Sequence, residues 1–137
     1  MTISQKQLEI KLWNLRRNRM QEQLLVELES IGNKISEMVN RFAGNEMVCT
    51  TLIKKFPTDP NFEAYVKQVR SGNYNEAEKS IHTLKGVSSN LGLTKIRELT
   101  QLILDDIRAG QYNNLNELTE QLEKVYHEAV AIIQKYM

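Results

Sequence analysis

Residues 73–92 read NYNEAEKSIHTLKGVSSNLG, and this stretch decides the fold. No proline interrupts it, and its apolar or small side chains recur every three to four residues. On a helix at about 100° per residue they fall within a face of roughly 80°. The members of that face are Ala77, Ile81, Leu84, Ser88 and Leu91. Asn73 and Gly92 suit the two ends of a helix, so the stretch predicts a helix that presents one face to a bundle.

The rest of the chain is equally poor in helix breaks, with 2 prolines and 6 glycines in 137 residues. Apolar residues at helical spacing between these breaks predict six more helices. Their approximate ranges are 4–31, 34–42, 46–56, 60–71, 94–109 and 114–137. Long helices joined by short connections predict an all-α antiparallel four-helix bundle over residues 34–137. Residues 1–33 are predicted to form an N-terminal helical extension or linker.

Composition excludes several classes of protein. The 18 Lys and Arg residues nearly balance 17 Asp and Glu residues, and a net charge of +1 argues against a nucleic-acid partner. The single cysteine, Cys49, cannot form an internal disulfide, and with only two histidines we expect no metal site. The longest purely apolar run, residues 129–133, is far shorter than the ~20 residues of a membrane span. No signal peptide is evident, so a cytoplasmic setting is expected.

His82 lies on the other side of the predicted helix, roughly 140° from the centre of the apolar face, so we expect it to meet solvent. Lys85 and Gly86 follow it by three and four residues, one turn along the same side. A glycine inside a helix costs on the order of 1 kcal/mol relative to alanine. Close helix packing does not explain Gly86, because it points away from the predicted core. We interpret Gly86 as leaving room for a group that approaches the His82 ring.

An exposed imidazole is mostly neutral and nucleophilic at neutral pH, and it can accept an activated phosphoryl group as a phosphoramidate. Phosphoryl transfer requires positioning and charge stabilisation more than an elaborate pocket. Lys85 would supply a cation for the phosphoryl oxygens. Ser89, a further turn along, either donates a hydrogen bond to such an oxygen or is an ordinary surface residue. Without these neighbours, His82 would be interpreted as a solvated surface histidine.

Residues 81–92, IHTLKGVSSNLG, closely resemble the signature of the histidine-containing phosphotransfer (HPt) domain of two-component systems. In that signature a helix carries H-[TS]-L-K-G, then small residues and L-G, and a weaker similarity extends over residues 35–136. The resemblance implies that His82 accepts a phosphoryl group from, and donates it to, an aspartate of a response-regulator receiver domain. It also implies that Lys85 stabilises the group and that Gly86 keeps the approach open.

The resemblance further implies a phosphoryl carrier and not an enzyme. No glycine-rich phosphate loop is present, no intrinsic cofactor is expected, and Mg²⁺ would be held by the receiver. The partners implied are a receiver domain, a hybrid sensor histidine kinase, or both, and the bundle is expected to be monomeric. The chain is then either a cytoplasmic protein or the soluble part of a membrane-bound hybrid kinase. Ile81 stands where the family often has Ala, and Leu104-Asp105 where it usually has Leu-Glu.

Two rival functions remain open. One is a helical interaction module with a vestigial histidine, and the other is dimerising histidine-kinase machinery, which the missing ATP-binding region argues against. The N-terminal segment also has two interpretations. Its basic residues beside Leu8, Leu12 and Leu15 suggest a membrane-surface or partner-binding helix. Because acidic residues soon balance that charge, we favour a connecting helix that docks on the bundle or forms a coiled-coil pair.

Overall fold

The computed structural model describes residues 2–137 and contains seven α-helices, with no strand in that range. They are α1 (Gln5–Ser30), α2 (Ile35–Arg41), α3 (Glu46–Lys55), α4 (Asn61–Arg70), α5 (Tyr74–Asn90), α6 (Thr94–Arg108) and α7 (Leu115–Gln134). A single 3₁₀ turn, Phe56–Thr58, follows α3. The predicted all-α fold is confirmed. None of these helices is long and apolar enough to cross a lipid bilayer.

Helices α4 to α7 form the centre of the molecule, and each packs against the next one along the chain. Short connections between helices that pack together make successive helices antiparallel. The predicted face of α5 is buried along its length, with Ile81 and Leu84 fully enclosed between α4 and α6. Phe62 stacks on Tyr126 with ring centroids 3.8 Å apart, which joins α4 to α7. The bundle therefore packs against one side of α5 and leaves the opposite side exposed to solvent.

Tyr65 of α4 is the largest fully buried side chain. Its hydroxyl is hydrogen-bonded to the hydroxyl of Thr119 on α7, at 2.8 Å. Burial raises the pKa of Tyr65 to about 12. A buried hydroxyl needs such a partner, because an unpaired one would lose its hydrogen bonds to water without replacement.

The long helix α1 has two halves with different surroundings. Leu24, Leu25 and Leu28 are buried and pack with α2, α3 and α7, whereas no residue between 5 and 23 is buried. The second half of α1 therefore contributes to the same core as residues 34–137. The predicted boundary between residues 33 and 34 stays a prediction.

Side-chain hydrogen bonds accompany the starts of two helices, α6 and α4. Thr94 is the first residue of α6, as predicted, and its hydroxyl oxygen accepts a hydrogen bond from the N–H of Lys34 at 2.9 Å. Pro60, predicted as the first residue of α4, precedes the helix, and Asp59 caps it by accepting from the N–H of Asn61 at 2.9 Å. The observed start of α4 thus lies one residue after the predicted one.

The end of α5 is held by α2. Gly92 adopts a φ of +68°, which glycine tolerates best, and a β-carbon there would lie only 2.9 Å from the carbonyl oxygen of Lys34. Arg41 donates two hydrogen bonds through its Nη2 atom, to the carbonyl oxygens of Ser89 and Asn90, at 2.9 and 3.1 Å. Because α5 carries His82, these contacts fix the helix on which any chemistry at that histidine depends.

Candidate functional site

His82 lies in the middle of α5 and is exposed. Its neighbours fix it there, because Ile81 beside it and Leu84 two residues later are fully buried. Ser80, also buried, is hydrogen-bonded through its hydroxyl to the side chain of Gln68 on α4, at 2.7 Å. Rotation of α5 would bring these side chains into solvent, so the bundle holds the imidazole on the outer side.

A shallow depression of about 480 Å³ surrounds the imidazole. Its other walls are Asn75, Glu78 and Lys79 of α5 and Arg108 at the end of α6. Arg108 donates through Nε to Glu78 Oε1 at 2.9 Å, while Lys79 pairs with Glu76 outside the depression at 3.2 Å. Two cationic side chains and one carboxylate thus lie around the ring.

Gly86 is exposed one turn beyond His82, and a β-carbon placed on it would meet no atom within 4 Å. No neighbouring backbone or side chain therefore requires a glycine here, unlike at Gly92. Packing therefore does not explain this glycine, and its role as an access position stays a prediction.

Lys85 and Ser89 complete the predicted set on the outer side of α5. Both are half-buried, so Lys85, which we expected to be exposed from its place on the side of His82, is less exposed than predicted. The long aliphatic stem of a lysine can lie along the bundle while its ammonium reaches solvent. The carbonyl of Ser89 is held by Arg41, which fixes the backbone at the far end of the site. The structure thus brings all four predicted residues to one side of one helix.

Sequence reasoning missed two cations at the depression. Lys79 precedes His82 by three residues on the same helix, so helical spacing alone could have identified it. Arg108 is 26 residues away on α6, and its approach depends on how α5 and α6 pack, for which no local sequence signal exists. Its hydrogen bond to Glu78 places Arg108 at the depression.

The other candidate residues lie elsewhere. His127 is exposed on α7, with its ring edge-on to Phe62 at 5.6 Å between centroids. Cys49 is fully enclosed in the core, and burial raises the pKa of its thiol, which disfavours the reactive thiolate. Among residues 2–137, no group of three or more His, Cys, Asp or Glu side chains is placed to hold a metal ion. The site consists of one nucleophilic ring with charged neighbours.

The sequence profile of the Hpt domain matches residues 19–132. This match covers the second half of α1, all of α2 to α6 and nearly all of α7. No curated protein and no solved structure gives a significant match. Hpt domains take part in phosphorelays, as phosphotransfer carriers and not as conventional enzymes. The profile accounts for most of the chain, and the chain belongs to the Hpt domain family.

Proposed function

We propose that His82 is the residue of this phosphorelay carrier that holds the phosphoryl group, receiving it from and returning it to an aspartate of a receiver domain. The observation that carries the proposal is the position of the imidazole. It is exposed on a helix whose other side is fully packed, next to an open glycine position, in a depression with cationic side chains.

The transfer is a displacement at phosphorus. The unprotonated ring nitrogen of His82 attacks the phosphorus of an aspartyl phosphate on the partner. A nitrogen–phosphorus bond forms as the bond from phosphorus to the aspartate oxygen breaks, and the carboxylate leaves with the electron pair. The ring then carries a positive charge until the proton on its other nitrogen passes to water. Return of the group to an aspartate follows the same steps in reverse.

The charged residues around the ring favour a bound phosphoryl group. Such a group brings roughly two negative charges at neutral pH. Lys85 and Lys79 lie one turn after and one turn before His82, within reach of oxygens on the ring. Glu78 opposes that charge, and its pairing with Arg108 offsets part of the repulsion. The site therefore supplies charge stabilisation for the added phosphoryl group.

The partner supplies the rest of the catalytic apparatus in this proposal. A receiver domain would bring the Mg²⁺ ion that neutralises phosphoryl oxygens during the transfer. This chain's own residues present the nucleophile, keep the approach open at Gly86 and stabilise the added charge. The cognate partner is a receiver domain, alone or as part of a hybrid sensor kinase.

The test is transfer of labelled phosphate from a phosphorylated receiver domain to the full chain. His82→Gln should abolish label on this protein, and the label on wild type should be acid-labile and base-stable, as a phosphoramidate is. His127→Gln is the matched control, because it removes the other exposed histidine, and it should be labelled like wild type. Equal labelling of wild type and His82→Gln would refute the assignment.

Lys85→Ala separates charge stabilisation from folding. We expect transfer to slow about tenfold, which corresponds to about 1.4 kcal/mol of transition-state stabilisation. The circular dichroism spectrum should stay helical, since the ammonium makes no contact that the core requires. A vestigial-histidine module would instead bind the receiver and remain unlabelled in every variant.

A further inference from the structure

The first half of α1 exposes a row of large apolar side chains. Leu8, Leu12 and Leu15 are 41%, 46% and 57% exposed, and Val26 further along is 60% exposed. A contiguous exposed apolar surface of this kind marks an interaction site more often than an ordinary surface. This row is therefore a candidate contact surface for a partner helix.

The spacing of the row is that of a coiled-coil seam. Intervals of four and three residues alternate along it without a break. Its members are Leu8, Leu12, Leu15, Arg19, Glu22 and Val26. A repeat of 3.5 residues on average keeps such positions on one face of two paired helices. At 100° per residue this face lies roughly opposite Leu24 and Leu28, which α1 packs into its own bundle.

A lipid surface fits this helix poorly. A helix that lies on a membrane has one apolar face and one polar face. Here Ile10 and Trp13, which are 53% and 58% exposed, lie on the side away from the seam, and basic residues flank both sides. Residues 2–21 include one acidic residue, Glu9, and five basic ones, Lys6, Lys11, Arg16, Arg17 and Arg19.

We infer that the seam binds a second copy of this chain, with the two α1 helices antiparallel. Placing Leu12 against the partner's Leu15 puts two leucine layers at the centre of a twofold contact. The same register places Glu9 beside the partner's Arg16, twice by symmetry. Leu8 then faces the partner's Arg19, whose aliphatic stem can cover it.

Charge favours the antiparallel pair over a parallel one. In a parallel pair in register, Arg19 would face the partner's Arg19 across the seam and Glu22 would face the partner's Glu22. Lys11 would also lie beside the partner's Arg16 at the flanking positions. All three are like-charge contacts, whereas the antiparallel register places Glu9, the one acidic residue among residues 2–21, beside a base.

The proposed contact between the two α1 helices lies outside the two bundles. The antiparallel register overlaps residues 5–22, which is about 27 Å of helix at 1.5 Å per residue. The two bundles begin at Leu24 and would lie at opposite ends of the paired helices. Each bundle remains a single chain, and His82 is not part of the contact.

The first experiment is sedimentation equilibrium of the full chain over a range of concentrations. We expect a mass of about twice the 15.9 kDa of one chain. Leu12→Gln should raise the dissociation constant at least thirtyfold, because it places two polar groups in the central layers. Ile10→Gln changes an equally exposed residue of the same helix, two positions away, and should leave the mass unchanged.

The second experiment determines whether the two α1 helices are antiparallel or parallel. Arg16→Glu should raise the dissociation constant by about tenfold, since it sets two acids beside each other at both ends of the contact. The double variant Glu9→Arg, Arg16→Glu should restore dimerisation. A parallel pair predicts the opposite sign for Arg16→Glu, because the new acid would face Lys11. A chain that stays monomeric to about 0.5 mM, or that binds anionic lipid vesicles as a monomer, would overturn the proposal.

Discussion

Two glycines near the end of α5 have opposite structural requirements. Gly86 has a helical backbone and open space around it, whereas Gly92 has a φ of +68° and little space. The first glycine destabilises the fold slightly, and the second is required by it. The contrast separates Gly86, which we propose serves access to His82, from Gly92, which the backbone conformation requires.

Substitution by alanine should therefore have opposite effects at these two positions. Gly86→Ala should raise the free energy of unfolding by about 0.5–1 kcal/mol, the usual gain from replacing a helical glycine. Gly92→Ala should lower it by about 1–3 kcal/mol, because the backbone is strained and the new methyl group meets the Lys34 carbonyl. Urea denaturation measures both. In the transfer assay Gly86→Leu should be slower than wild type although it folds, and unchanged transfer would contradict the access role.

At the scale of the element, α5 is positioned by contacts at its C-terminal end as well as by its buried face. Its last carbonyls have no partner within the helix, and Arg41 of α2 supplies two of their hydrogen bonds. A cation at this end also interacts favourably with the helix dipole. The site helix is thus fixed by a side chain from a different helix.

Loss of that side chain should loosen the end of α5. We expect Arg41→Ala to lower the free energy of unfolding by about 1–2 kcal/mol and to speed hydrogen exchange in the last turn of α5. Arg41→Lys keeps the charge but not the planar donor group, so it should recover only part of the loss. Wild-type exchange in Arg41→Ala would show that the contact does not hold the helix.

These elements also show which features of the structure could be predicted from the sequence. The buried face of α5 and the position of His82 follow from helical periodicity, which is local, and both agree with the structure. The Gly92 stop is equally local. In contrast, the pairing of Arg108 with Glu78 and the burial of only the second half of α1 depend on how separate helices pack. No local pattern contains that information.

At the scale of the whole molecule, the core extends into α1. Leu24, Leu25 and Leu28 are buried, and burying one such side chain contributes about 1.5–3 kcal/mol. Among residues 5–18 none is buried and only Arg17 is half-buried, and the Hpt profile begins at residue 19. A domain that begins at residue 34 would lack these three leucines and expose the surfaces that they cover.

Two truncations test where the domain begins. A chain of residues 19–137 should keep a denaturation midpoint close to that of a wild-type monomer, because residues 2–16 and 18 are exposed and only Arg17 is half-buried. A chain of residues 34–137 should lose several kcal/mol of stability or fail to fold cooperatively. Thermal denaturation at low protein concentration measures both. Equal midpoints for the two truncations would instead support a domain boundary at residue 33.

The C-terminal residues of the chain are hydrogen-bonded to Glu27 in the second half of α1. Lys135 donates to its Oε2 at 2.6 Å, and the hydroxyl of Tyr136 donates to its other oxygen. These hydrogen bonds lower the pKa of the Glu27 carboxyl. The folded state therefore favours the carboxylate, so the stabilisation is present above the pKa of an unfolded glutamate, about 4.3, and is lost as the pH falls through the lower folded value.

Glu27→Gln should consequently lower the denaturation midpoint at pH 7, and the difference from wild type should shrink on acidification. Once the carboxyl is protonated in both states, the two proteins should unfold alike, because wild type has then lost the same charge. Glu120→Gln is the control, since Glu120 is exposed on α7 and has no ion-pair partner within residues 2–137. A difference at pH 7 that persists unchanged in acid would mean that Glu27 joins α1 to the C-terminus by packing and not by its charge.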